Sequence, residues 1–326
     1  MAEIVLGLAT SHSPQLSLPP EWWRYRGDND SKRGDLWGPD GQIHSYDELR
    51  EMAPPSIEKE LTDETLKARY DACQTGIARL GELLAEAAPD VVVVVGDDQH
   101  ELLKEDNMPA ISVYWGESIH NAGRHVTDNT PPDAKASAWA YGGERDYPVG
   151  SALALHIIES LVDQEFDVGH NKYQTEGRNA GHAWGFVWRR IMGDRVVPVV
   201  PIMLNTYFKP NQPTPKRCHD LGVALGRAIA EWDSGTRVAI VASGGLTHFV
   251  VTEEFDQKML KALEQKDVET ISTLDRKMLN SGNSEIRNWI TVGAAAGEMD
   301  FKLIDYVPCY RSAAMTGCAM GFAQWS

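Results

Sequence analysis

Residues 3–9 form an apolar run that breaks at Thr10-Ser11-His12-Ser13-Pro14, where Pro14 restricts the conformation of the residue before it. The run reads as an opening strand with His12 just past its carboxyl end. Residues 17–60 keep no sustained period and are punctuated by Pro19-Pro20, Gly27-Asp28-Asn29-Asp30, Gly38-Pro39 and Pro54-Pro55. Such a stretch is expected to be a long excursion that covers a site rather than a core element. From 63 to 88 apolar positions recur at helical spacing (Leu66, Tyr70, Cys73, Ile77, Leu80, Leu84) behind Thr62-Asp63, and Ala88-Pro89-Asp90 ends the pattern. Five valines, Val91 to Val95, then predict a strand buried on both faces, ending at Gly96-Asp97-Asp98-Gln99-His100.

The same alternation continues. A strand over 110–115 is followed by a polar loop through about 147, a helix over about 151–162 and a strand near 166–168. A helix opens at Gly181-His182-Ala183-Trp184, a strand covers 196–204, a helix covers about 216–232, and a strand over 238–242 runs into Ser243-Gly244-Gly245-Leu246-Thr247-His248. Beyond 253 the pattern is mainly helical until strand-like 301–307 and a final apolar segment over 313–322. Helices alternating with buried strands predict an α/β fold with a central mixed, largely parallel sheet flanked by helices on both faces. No repeat, low-complexity tract or linker divides the 326 residues, so 1–326 is expected to form a single domain with an insertion at about 17–60.

Charge narrows the function. With 31 basic and 47 acidic residues the net charge is −16, a field that repels phosphate backbones and anionic membranes, so neither a nucleic-acid nor a membrane partner is expected. The four cysteines, Cys73, Cys218, Cys309 and Cys318, form no C-x-x-C pair and suit reduced thiols in the cytoplasm. The apolar start carries Glu3 and no basic segment, unlike a secretory signal.

Ligand sites in open α/β sheets gather beyond the carboxyl ends of the strands. Three predicted strands end here in His12, His100 and the Gly244-Gly245-Leu246-Thr247-His248 turn, with Glu253-Glu254 close behind. One histidine at a strand end is ordinarily a hydrogen-bonded loop residue; the conjunction of several is what points to metal. Two imidazoles and one carboxylate form the facial triad that holds non-haem Fe(II) with positions open for substrate and O₂.

In these features the chain resembles the type III extradiol ring-cleavage dioxygenases, the superfamily of protocatechuate 4,5-dioxygenase. The resemblance rests on Thr10-Ser11-His12-Ser13-Pro14, the valine-rich strand into Gly96-Asp97-Asp98-Gln99-His100, Glu159 to Asp167, Gly181-His182-Ala183-Trp184-Gly185-Phe186, and Gly244 to His248 followed by Glu254-Phe255-Asp256. It implies Fe(II) held by His12, His100 and Glu254, with His182 as the acid–base histidine. Glu254 is preferred to Glu253 because it directly precedes the aromatic-Asp pair Phe255-Asp256. His248 is expected to act on the substrate or on an iron ligand, and Asp97 or Asp98 to orient a ligand imidazole. Ser281, Ser284 and Arg287 are expected to anchor a ring substituent. The implied reaction is opening of a catechol-type ring by O₂, in a protein expected to be a homo-oligomer.

The chain also departs from the commonest pattern. Asp98-Gln99-His100 inserts a glutamine where many members have Asn-Asp-His, and no histidine near Gly150 matches the second distal histidine of protocatechuate-cleaving members. The insertion and the His-Ala-aromatic-Gly-Phe segment look more like the 3-O-methylgallate dioxygenase branch, implying a gallate- or methylgallate-like diol. Two other readings use the same residues: a zinc hydrolase, since imidazole–carboxylate sets also suit Zn²⁺, and a non-catalytic binding or signalling protein on the same fold.

Overall fold

Successive side chains of a strand point to opposite faces, and the valines show this directly. Val91, Val93 and Val95 enter one hydrophobic cluster while Val92 and Val94 enter another. Both clusters are closed by helices. Ser151–Asp163 and Pro215–Glu231 cover the first, and Asp63–Ala87 covers the second through Leu66, Cys73, Ile77, Leu80 and Leu84. The long helix has the ends its sequence predicts: the Thr62 hydroxyl accepts from the Thr65 N–H at 3.2 Å, and Ala88 closes it in the left-handed region at φ 41°.

The computed structural model describes residues 1–193 and 195–326. In chain order its strands are β1 Glu3–Thr10, β2 Leu36–Trp37, β3 Ile43–His44, β4 Val91–Asp97, β5 Ile111–Tyr114, β6 Ser118–Asn121, β7 Arg145–Pro148, β8 Gly169–Asn171, β9 Val199–Leu204, β10 Arg237–Ser243, β11 His248–Val250, β12 Phe301–Tyr310 and β13 Thr316–Trp325. Nine form one mixed sheet in the order β11-β13-β1-β10-β4-β9-β5-β8, with β12 paired to β13. Its centre, β1-β10-β4-β9, is parallel, and β13 and β5 join it antiparallel on either side. The expected α/β class with helices on both faces is therefore the observed one.

Several local expectations change. Residues 17–60 are not a featureless excursion: Pro20–Asp30 is a helix, β2 and β3 form a small ribbon, and Trp23, Leu36 and Leu49 are buried. The loop expected through 147 contains the β6–β7 ribbon and the helix Pro132–Ser137. The strand expected near 166–168 lies at Gly169–Asn171, and the final apolar segment is the long strand β13. Among the described residues no helix is long and apolar enough to cross a membrane.

Candidate metal centre and cavity

The parallel strands β1, β4 and β10 all end on one side of the sheet, and the residues just beyond them meet there. His12 follows β1. Its Nδ1 lies 3.0 Å from the Ser243 hydroxyl at the end of β10, and that hydroxyl donates to the Ala183 carbonyl at 2.8 Å. With its own proton so used, the Ser243 oxygen accepts from Nδ1–H, which leaves a lone pair on His12 Nε2. His182 opens the short helix His182–Phe186; its Nδ1 lies 2.6 Å from Glu101 Oε1, which also accepts from its backbone N–H at 3.0 Å. The two Nε2 atoms face each other at 3.2 Å. Two lone pairs cannot rest at that distance unaided, so the pair demands a proton or a metal cation between them.

Two carboxylates flank the pair. Asp97, at the end of β4, lies 3.8 Å from His12 Nε2 and 3.7 Å from His182 Nε2, and these three residues offer ligand atoms within 4.8 Å of one another. Glu285 places Oε2 3.3 Å from His12 Nε2 and Oε1 3.3 Å from His248 Nε2. Glu285 also accepts from the Tyr207 hydroxyl at 2.8 Å and from the Gly245 N–H at 2.5 Å. His248 donates Nδ1–H to the Leu246 carbonyl at 2.8 Å and sits against Gly282, where any Cβ would fall 2.1 Å from its ring.

The charges sort themselves by burial and neighbours. Burial alone would raise Glu285, but the imidazoles of His248 and His12 hold it well below the usual carboxylate range. Asp97 is raised by burial and by the charge of Glu285. Of the two acids, Glu285 is the one its neighbours favour in the charged form. Burial opposes protonation of His182, yet Glu101 overcomes it and raises the imidazole to about 10, while Glu101, despite its own burial, is pulled down to about 2. His248 is raised to about 9 by Glu285 against the opposing effect of burial.

A cavity of about 920 Å³ opens above this cluster, lined by His12, His182, His248, Glu285, Tyr207 and Gln99, among others. Asp97 is fully buried, outside the cavity lining. The helix Pro20–Asp30 contributes Tyr25, Arg26, Asn29 and Asp30 to the wall, so part of the insertion does cover the cavity. Trp23 of the same helix is instead core, its indole N–H donating to the Gln15 and Leu18 carbonyls.

The structure does not bring the three expected ligands together. His12 is in the cluster, but β4 ends at Asp97 and His100 turns away at φ 67°, stacking on Phe208 at 3.8 Å and facing Glu105. Gln99 enters the cavity in its place, its amide 3.1 Å from Asp97 Oδ2. Glu254 is exposed in the first turn of the helix Glu253–Glu264, and Glu253 accepts from the Tyr310 hydroxyl. The buried acid of that segment is Asp256, which accepts from the Thr247 N–H, the Thr247 hydroxyl and the Tyr306 hydroxyl and so pins the turn before His248.

The expected substrate anchors also separate. Arg287 is buried and donates to the carbonyls of Pro213, Leu279 and Ser284, a structural role. Ser284 is fully buried, and Ser281 lines a shallower pocket with Arg33, Tyr207 and Phe249. Sequence reasoning missed Glu285, Glu101 and Tyr207. The available signals were an acid two residues past Gln99 and an acid inside the segment chosen for its serines and arginine.

An α/β sheet with imidazoles and carboxylates gathered beyond its parallel strands, under an open cavity, defines a protein built to hold a metal and a small ligand together. Residues 54–322 match the family described as the catalytic LigB subunit of aromatic ring-opening dioxygenase, and the chain belongs to that family. Similar curated proteins include a 2,3-dihydroxyphenylpropionate/2,3-dihydroxicinnamic acid 1,2-dioxygenase of Rhodococcus jostii, 25% identical over 230 residues, covering 68% of this chain and 65% of that protein. A protein of the same name from Rhodococcus sp is 28% identical over 179 residues, 55% of this chain and 49% of its own. A gallate dioxygenase of Pseudomonas putida is 36% identical over 115 residues, 33% and 32% of the two chains. The matched part covers less than two thirds of each of these relatives.

Proposed function

We propose that the protein is an Fe(II)-dependent extradiol dioxygenase that opens the ring of a catechol-type diol with O₂, the ring being gallate- or methylgallate-like. One observation carries the reading: His12 and His182 face each other through Nε2 at 3.2 Å, with the Glu285 carboxylate 3.3 Å from His12, at the floor of a cavity large enough for an aromatic ring. The donor chemistry fits the metal. Each imidazole uses Nδ1 on an oxygen and presents Nε2, and two imidazoles with one carboxylate match the non-haem iron facial triad. His12, His182 and Glu285 are therefore the residues that hold Fe(II). The family and the dioxygenases named for 2,3-dihydroxyphenylpropionate and gallate support the same chemistry.

Bound Fe(II) supplies a common attachment point at which diol and O₂ meet and exchange electrons. The chain does the rest. Ser243 and Glu101 fix the orientation of the two imidazoles, and Tyr207 and the Gly245 N–H fix Glu285. His248 presents Nε2 to the cavity and moves a proton between the diol oxygen and the ring-opened product. In this reading the proton-carrying role expected for His182 belongs to His248, because His182 Nε2 lies among the ligand atoms. The setting is the cytoplasm, where the four buried cysteines stay free thiols, and the assembly is a homo-oligomer, which sedimentation velocity reads directly.

The test is metal content after anaerobic loading with Fe(II). His12→Ala, His182→Asn and Glu285→Gln should lose most of the iron, whereas His100→Ala and Glu254→Gln should retain it. Iron retained in any of the first three variants removes that residue from the set, and loss in either of the last two restores the ligands expected from sequence.

A further inference from the structure

The cavity wall carries four arginines, and three are already neutralised. Arg26 Nε lies 2.8 Å from Asp133, Arg33 grips Asp35 through two hydrogen bonds at 2.9 and 2.7 Å, and Arg311 grips Asp30 at 2.7 and 2.9 Å. The fourth is Arg124, which lines the cavity and forms no ion pair among the described residues. It is exposed at the cavity rim, on a loop anchored from below. Asn121, buried at the base of its loop, donates to the Tyr141 and Gly143 carbonyls, and Gly123 takes φ 65° to turn the chain toward the cavity. The Arg124 guanidinium then lies 5.4 Å from the Tyr141 ring centre.

Tyr141 ties this arginine to the metal cluster. Its hydroxyl donates to the His12 carbonyl at 3.1 Å, and its ring centre is 6.3 Å from that of His182. A ligand reaching from the cluster across the face of Tyr141 meets Arg124, the one arginine of the cavity wall with no acidic partner among the described residues. We propose that Arg124 is the specificity-determining residue for an aromatic diol bearing an anionic substituent, a carboxylate above all, which it takes as a charge-assisted, bidentate hydrogen-bond partner. This rests on the catalytic reading above for the diol end and adds the residue that selects the other end.

The experiment compares acid and methyl ester of the same diol. Gallate, 3,4-dihydroxybenzoate and 2,3-dihydroxyphenylpropionate are each titrated against their methyl esters by calorimetry on iron-loaded protein under anaerobic conditions, and O₂ uptake is then measured on the same preparations. Wild type should prefer at least one acid over its ester by about tenfold to a hundredfold, the worth of a hydrogen bond to a charged group. Arg124→Gln should bring that ratio close to unity, chiefly through KM, and Arg124→Lys should restore part of it. Equal binding of acid and ester by wild type, or an unchanged ratio in Arg124→Gln, overturns the proposal. Acid-selective binding that depends on Arg124 but brings no O₂ uptake leaves Arg124 standing and overturns the dioxygenase reading. No binding of any diol overturns both.

Discussion

His248 is held by two contacts that fix what its ring can do: Nδ1–H is spent on the Leu246 carbonyl, and Nε2 faces Glu285 and the cavity. His248→Asn removes the proton carrier while leaving His12, His182 and Glu285 in place. Turnover should fall about 10²–10⁴-fold with iron content unchanged, measured on one preparation; iron lost along with turnover would make His248 a ligand. Asp256 shows a different consequence of burial, which pushes its carboxyl up to about 7 against three donated hydrogen bonds. Between its ordinary value of 3.8 and about 7 the folded chain keeps a proton that the unfolded chain has released. Its contribution is therefore full below 3.8 and is lost as pH rises through 7. The urea midpoint of Asp256→Asn should accordingly lack part of the decline that wild type shows over this window, and parallel profiles would contradict the assignment. His12 and His248 were legible in the sequence because each stands beside a clear strand end. Glu285 was not, because its contact with His12 joins the two ends of the chain and no local period marks it.

At the scale of elements, the helices Pro215–Glu231 and Ile286–Ala295 cross so closely that a Cβ on Gly222 would fall 2.2 Å from the Thr291 carbonyl. The second helix begins at Ile286, directly after Glu285, so this crossing helps set where the carboxylate stands. Gly222→Ala should cost about 1–3 kcal/mol, as overpacked cores do, read as a lowered urea midpoint; an unchanged midpoint would show that the helices part freely. Elements with a strong local period, such as the helix Asp63–Ala87 and the valine strand β4, were legible from sequence. Strand β13 was not, because Thr316 to Phe322 is buried on both faces and its small residues show no alternation. The helix Pro20–Asp30 was also hidden. Trp23 packs inward and Asp30 is bound by Arg311 from far along the chain, so tertiary contacts rather than a local stripe give it a place. The turn after β4 misled for a related reason: the strand stops at Asp97, which sends Gln99 into the cavity and His100 onto Phe208.

At the scale of the whole molecule, an acidic chain keeps most of its cavity arginines paired, and the metal donors proposed above come from three separate parts of the sequence, around residues 12, 182 and 285. Only the folded sheet brings them to one point, so the class of chemistry was readable from strand-end histidines while the proposed ligand set needed the fold. The activity proposed for this point is ring opening on bound iron. The most direct measurement is O₂ consumption by protein loaded anaerobically with Fe(II) and mixed with gallate, 3-O-methylgallate or 2,3-dihydroxyphenylpropionate. O₂ should be taken up mole for mole with ring opened on at least one of these diols, and uptake should be abolished in Glu285→Gln. No uptake with any diol, or undiminished uptake in Glu285→Gln, would contradict it.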